Sequence, residues 1–207
     1  MIVKKIEFSD VFAANCYFYI SEVTGEGFII DPSAHAQKLL EIISSNAWDI
    51  EKILLTHSHL DHLGAALEVA KALNIPIFGH QNARLYLSSP DLRAHFTDRS
   101  VLENMQFLND GDEIALKKDA VGVLKVISTP GHTLDSVVYY DKKAGLAFTG
   151  DTVFRTSRGR TDIEGSGGDE HQLKESIIKK ILALPDETVL YPGHGEATTI
   201  AEEKIWY

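Results

Sequence analysis

The segment "LLTHSHLDHLGA", residues 54 to 65, sets His57, His59, Asp61 and His62 within six positions of a 207-residue chain that has nine histidines in all. Imidazole nitrogen and carboxylate oxygen are the ligands preferred by zinc and by other borderline divalent ions. A polar loop bonded to itself and to water is the plain alternative, and the flanking residues argue against it. "KILLT" before the cluster is an apolar, β-branched run suited to a buried strand, and "LGAALEVAKALN" after it carries Leu63, Leu67, Ala70 and Leu73 at helical spacing. The cluster thus falls where a strand ends and a helix begins, the carboxyl edge at which α/β proteins commonly hold ligands. In an extended strand tail His57 and His59 project to the same side. Asp61 and His62 follow at the turn into the helix, where they can point at a second position nearby.

Three further segments share that placement. "ISTPGHTLDS" sets His132 just past a strand, "AFTGDTVF" sets Asp151 past another, and "VLYPGHGEATT" sets His194 past a third. Each is a tight edge loop in which glycine permits unusual backbone angles. Taken singly, each reads as a structural His or Asp. All three at strand ends beside H-x-H-x-D-H point to a metal centre, and five histidines with two aspartates suffice for two ions. Other nucleophile schemes have little support. G-x-S-x-G is absent, and Cys16, the one cysteine, reads as a small buried strand residue without a base. "SRGRTDIEGSGGDE" lacks the Walker lysine and reads as a solvated loop. His35, His80, His95 and His171 read as surface or structural histidines.

The elements that must position these residues follow from apolar patterning. Strands are expected in "IVKKIEF", "CYFYI", "GFIID", "KILLT", "IPIFG", "DEIAL", "VGVLKVIST", "SVVYYD", "GLAFTGD" and "TVLYPGH". Helices are expected in "AHAQKLLEIISSN", after the histidine cluster, from Glu170 to Leu184, and in "AEEKI". Asp169 and Gln172 are spaced as a capping box for the third of these. Residues 80–105 are the least readable, polar and helical with loops. "CYFYISEVTGEGFIID" and "VVYYDKKAGLAFTGD" echo each other as hairpins ending on an aspartate. Two strand-rich halves, each with its own helices, predict a four-layer αββα sandwich of two mixed sheets in one domain spanning residues 1–207. The net charge of −10 argues against nucleic acid or anionic membrane as a partner. No apolar stretch approaches the length of a membrane span or a secretion leader, and with a lone cysteine this predicts a cytoplasmic location.

The ordered set THSHLDH, PGHT, GDTVF and PGHG resembles the metallo-β-lactamase fold hydrolase superfamily. "GDTVFRTSRGRTDI" and "PGHGEATTI" are similar to its short glyoxalase II-like branch, and the resemblance covers about residues 10 to 200. The resemblance implies that His57, His59 and His132 hold one divalent ion. Asp61, His62 and His194 hold a second, and Asp151 bridges the two. Zinc is the first expectation, with iron or manganese as alternatives. It further implies that Asp31, in "IIDPS", orients a ligand histidine; an Asx-turn or helix cap before Pro32 fits those residues equally well. Arg160 and Asp162 would pin their loop beside the metals, and Arg155, Arg158 and Arg160 are the candidates for contacting substrate. The implied reaction is hydrolysis of a small-molecule thioester by a hydroxide shared between the ions, oriented by Asp61.

Alternatives within the same fold are a mononuclear iron persulfide dioxygenase and a phosphodiesterase. The acidic charge weakens the second of these. A β-lactamase has less support, and a metal-stabilised binding protein less still, since no ligand position is lost. Against longer glyoxalase II enzymes the chain differs at Gly195, Glu196 and Asp162, and it ends thirteen residues after His194. Weak hold on the glutathione moiety is therefore expected, with Asp162 repelling its carboxylates unless a neighbouring arginine pairs with it.

Overall fold

The computed structural model describes residues 1–8, 14–89, 99–118 and 122–207. The first sheet holds β1 (Ile2–Glu7), β2 (Asn15–Ile20), β3 (Glu26–Ile30), β4 (Asp49–Leu54), β5 (Ile77–His80) and β6 (Met105–Leu108), in that spatial order. Its helices are α1 (Ala36–Ser45), α2 (Leu60–Leu63), α3 (Ala66–Leu73), α4 (Arg84–Ser88) and α5 (Arg99–Glu103). Then come β7 (Glu113–Ile114), β8 (Leu124–Ser128), β9 (Val137–Asp141), β10 (Leu146–Gly150) and a small hairpin of β11 (Val153–Phe154) with β12 (Ser157–Arg158). Helix α6 (Glu170–Ser176), β13 (Val189–Pro192), β14 (Thr198–Thr199) and α7 (Ile200–Glu203) follow, and a 3₁₀ turn over Lys204–Trp206 ends the chain. The second sheet runs β14-β13-β10-β9-β8-β7. Both sheets are mixed: β1 to β3 are antiparallel and β3 to β6 parallel, while β10 pairs parallel with β13 and antiparallel with β9.

Strand alternation generates the layers. Successive side chains point to opposite faces, so Cys16, Phe18 and Ile20 of β2 pack with Leu39, Ile43 and Val69 of the helices, and Tyr17 and Tyr19 face the other way. Those tyrosines, with Phe28, Ile30 and Leu54, meet Val137, Tyr139, Leu146 and Phe148 of the second sheet. Val138, Tyr140 and Ala147 turn outward onto Leu173, Ile177, Ile181 and Ile200. Three apolar layers between four structural layers are the αββα sandwich. No helix among the described residues is long and apolar enough to cross a membrane.

Several elements depart from the sequence pattern. The apolar helix after the histidines is broken into α2 and α3 at Gly64–Ala65, where the Ala65 N–H donates to the Pro32 carbonyl (2.9 Å) and not to a carbonyl one turn back, and the chain at Gly64 passes too close to Ser33 for a side chain. A Cβ there would lie 2.4 Å from the Ser33 carbonyl oxygen. Its deepest residues are Leu63, Ala66, Val69 and Ala70, with Leu67 and Leu73 only partly covered. The helix expected from Glu170 to Leu184 ends as a π-helical turn over Ile177–Ile181. At its start the Asp169 side chain accepts from the Gln172 N–H (2.9 Å), and the Asp169 N–H donates to the Gly131 carbonyl (2.8 Å) rather than returning to the box. Between residues 80 and 105 lie a 3₁₀ turn at Gln81–Ala83, α4, α5 and the start of β6; residues 90–98, with His95, fall outside the described chain.

Phe148 sits fully buried at the centre of the middle layer, its ring centroid 5.4 Å from both Tyr17 and Tyr19 and 5.5 Å from Tyr191. Phe148→Ala is expected to lower unfolding free energy by about 3–5 kcal/mol. Urea denaturation of variant and parent would show it; a loss under about 1 kcal/mol would mean the two sheets do not depend on this contact.

Candidate metal centre

Every predicted ligand lies just past a strand end on one edge of the sandwich. Four come from the chain after β4 in the first sheet. The other three follow β8, β10 and β13 in the second. The first group is held by Asp31, the residue after β3, whose φ of +50° is strained for a non-glycine residue. Its Oδ1 accepts the Thr56 N–H (2.8 Å), and its Oδ2 accepts the Thr56 hydroxyl (2.6 Å) and lies 2.9 Å from His62 Nδ1. A carboxylate there accepts a hydrogen bond from the Nδ1–H of His62 and leaves Nε2 facing the cluster. Asp31 therefore caps nothing: the residue preceding α1 is His35.

Three ring nitrogens converge beside this. His59 Nδ1 is 3.1 Å from both His57 Nε2 and His132 Nε2. His132 Nδ1 donates to the Arg160 carbonyl (2.6 Å), so its Nε2 presents a lone pair. Tetrahedral nitrogen ligands at 2.0–2.1 Å from zinc stand about 3.3 Å from each other. The triangle has the size of a cation's coordination edge.

The remaining groups gather around an adjacent point. Asp151 Oδ1 is 3.3 Å from His62 Nε2, and its Oδ2 is 3.5 Å from both His132 Nε2 and His194 Nε2. Asp61 Oδ2 is 3.4 Å from His194 Nε2 and 3.8 Å from His62 Nε2. Candidate ligand atoms lie within 4.8 Å of one another in three sets: His57, His59 and His132; His57, His62 and Asp151; Asp61, His62 and His194. Among the described residues, buried His62 Nε2 and Asp151 Oδ1 face each other at 3.3 Å and neither makes a well-aligned hydrogen bond, a costly state that a cation would relieve. Gly193 completes the cradle. A Cβ there would lie 2.2 Å from Asp151 Oδ1 and 2.6 Å from His62 Cε1, so any side chain would occupy the centre. The donor set fits divalent metal.

Protonation states favour the same use. Burial, then the neighbouring imidazoles, holds His57 well below the usual histidine range and His59 down to about 3. Burial opposes charge on His62 too, but Asp151 and Asp31 outweigh it and push that histidine up. Asp151 feels a burial penalty that the facing histidines overcome, and Asp61 likewise, chiefly through His194; both stay below the usual carboxylate range. The result is neutral His57 and His59, ionised Asp61 and Asp151, and one proton on His62 that a cation must displace.

Residues 9–194 match the sequence profile of the metallo-beta-lactamase superfamily. The chain belongs to that superfamily. The hydroxyacylglutathione hydrolase GloC of Haemophilus influenzae is 34% identical over 181 residues, 85% of this chain and 83% of its own. Among solved structures, the BLEG-1 B3 metallo-beta-lactamase superposes with a TM-score of 0.84 at 31% identity, over 99% of this chain and 97% of that one. TTHA1623, in a di-iron-bound form, gives 0.78 at 30% identity over 98% and 97%.

In this superfamily member a cavity of about 730 Å³ opens over the centre, walled by Leu60, Phe154, Ile163, Arg158, Arg160 and Asp162. Arg158 and Arg160, expected to contact substrate, line this cavity, but each faces its own carboxylate. Arg158 pairs with Glu170, and the Arg160 fork meets Asp162 through Nε (2.7 Å) and Nη2 (3.1 Å). Sequence reasoning passed over Thr56, Asn15 and Asp135. Asn15 donates to the carbonyls of Pro192 and Gly195 on either side of His194 (both 2.9 Å), and buried Asp135 accepts from Ser58, between His57 and His59 (2.5 Å). A polar residue opening an apolar strand, "NCYFYI", was the one visible signal. His80 is buried and accepts from the Asn82 N–H, His35 precedes α1 against Phe8, and His171 is exposed.

Metal uptake is expected to release protons, and affinity to fall as pH falls, because protonation of His62 competes with the ion. Calorimetric titration of metal-free protein with zinc in buffers of different ionisation enthalpy measures the released protons. Binding without proton release would contradict the His62 assignment.

Proposed function

We propose that this metallo-hydrolase cleaves thioesters at a centre of two divalent ions. His57, His59 and His132 would hold the first, Asp61, His62 and His194 the second, and Asp151, which faces both groups, would serve both. The observation that carries this is the convergence of the seven side chains on two adjacent points, with Asp151 facing histidines of both groups. Zinc is the favoured metal, with iron or manganese as alternatives. The likeness to a di-iron protein supports two ions, and the likeness to GloC supports a thioester substrate.

Such ions supply Lewis acidity, polarising a carbonyl and lowering the pKa of water toward neutrality. The chain does the rest. Asp61, kept ionised and partly open to the cavity, accepts a hydrogen bond from the attacking water and orients it. Leu60, Phe154 and Ile163 offer apolar wall for an acyl group. A thiolate leaves without needing a proton, so no dedicated acid is required; a leaving amine would need one.

Purified protein is expected to hold close to two metal equivalents by elemental analysis. Asp151→Ala should abolish that stoichiometry, whereas Asp31→Ala should weaken metal affinity about 10–100-fold, as loss of a group behind a ligand does. Equal effects of the two substitutions would misplace the bridge, and one tight equivalent under metal-replete conditions would favour the mononuclear dioxygenase reading.

Steady-state assays on thioester, β-lactam, persulfide and phosphodiester substrates test the reaction class. Thioesters should be hydrolysed best, with a KM for a glutathione thioester near the upper end of the usual range, about 1 mM. Cysteamine and coenzyme A thioesters of the same acyl group should fall within about tenfold of it in kcat/KM, a spread of roughly 1.4 kcal/mol. Efficient turnover confined to the lactam, the class named for BLEG-1, would overturn the reading.

A further inference from the structure

The arginines that wall the main cavity have carboxylate partners of their own, and a third arginine does not. Arg155 follows Phe154 in the turn between β11 and β12, exposed, and among the described residues it has no hydrogen-bonding or ion-pair partner. It lines a second, shallower groove of about 360 Å³ that shares Phe154, Ser157 and His194 with the main cavity and continues past Gly195 and Glu196. Glu196, the one acidic residue lining that groove, is engaged by Lys5 Nζ at 3.0 Å. Lys5 also donates to the Gly195 carbonyl (3.2 Å), fixing the groove floor.

The turn that presents Arg155 is anchored. Thr156 adopts φ +63°, and its N–H donates to both oxygens of the fully buried Glu203 carboxylate (3.1 and 3.0 Å). Glu203 is itself held by the Thr198 hydroxyl at 2.7 Å. An exposed arginine on an anchored turn, at the end of a groove that begins at a metal-ligand histidine, is placed to meet an anion extending from the centre.

We propose that the negatively charged tail of the substrate's thiol moiety leaves the metal centre through the groove beside Phe154 and His194 and is held by Arg155, not by Arg158 or Arg160. This rests on the thioester reading for the identity of the substrate, while the anion site itself is testable by binding alone. The chemistry recognised is a carboxylate-bearing thiol.

Metal-loaded protein titrated with glutathione and with glutathione diethyl ester separates the two issues, since the ligands share a thiol and a length and differ in carboxylate charge. Glutathione should bind more tightly than the diester. Arg155→Ala should weaken glutathione about three- to fivefold, the scale of an exposed ion pair, and Arg155→Glu should weaken it further. Neither should change binding of the diester, and 0.5 M salt should remove the wild-type preference. Equal weakening of both ligands would overturn the proposal, as would no preference in the wild type, or loss in Arg160→Ala in place of Arg155→Ala. Absence of thioester turnover with the Arg155-dependent preference intact would sink the thioester reading and leave the anion site standing.

Discussion

Packing of the two sheets against each other is the constraint on which the metal centre depends. Four candidate ligands arrive from the first sheet and three from the second, so the centre exists only while the sheets keep their relative position. The aromatic layer between them is tied directly to the ligand-bearing segments. Tyr139 of the second sheet donates to the Leu55 carbonyl (2.7 Å), two residues before His57. Tyr17 of the first sheet donates to the Pro192 carbonyl (2.7 Å), two residues before His194. Each hydroxyl is buried, so breaking its bond leaves a dry polar group and carries the cost that entails. The same contacts that exclude water from the core set the spacing of ligands from opposite halves.

The second constraint is electrostatic. Five imidazoles and two carboxylates crowded behind a buried edge are poorly stable by themselves, with ring nitrogens 3.1 Å apart and unpartnered donor and acceptor atoms. Asp31 adds backbone strain at φ +50° while gripping Thr56 and His62. Strain and unsatisfied polarity concentrate where the surrounding fold over-determines the geometry, as expected of a preorganised binding site. A cation would resolve the conflict.

Around the centre, specificity is a matter of which charges remain available. Asp162 does face an arginine, as its expected repulsion of anions would require if relieved: the Arg160 fork closes on it. Arg158 is similarly engaged by Glu170 from α6. The wall of the main cavity is thus close to neutral beyond the ligands, which suits a substrate recognised chiefly at its reacting carbonyl and only loosely along its length.

How much of this was legible in the sequence depends on distance along the chain. His57, His59, Asp61 and His62 announce themselves because their spacing and the change from strand to helix pattern lie within a dozen residues. The two hairpins, the αββα layering and the helix start at Asp169 are legible for the same reason: side-chain periodicity and capping are properties of adjacent residues. β6, the β11–β12 hairpin and β14 did not stand out, and the helix break at Gly64–Ala65 goes with a bond from the Ala65 N–H to the Pro32 carbonyl, far back in the chain. Asp31's choice of His62 and Thr56 over a local turn, Asn15's hold on the His194 loop, and the pairing of Arg158 and Arg160 beside an Arg155 with no partner among the described residues were decided by tertiary structure alone. Such partners are chosen when distant segments pack, and a side chain's direction at a loop is set by those neighbours and not by the residues beside it in the chain.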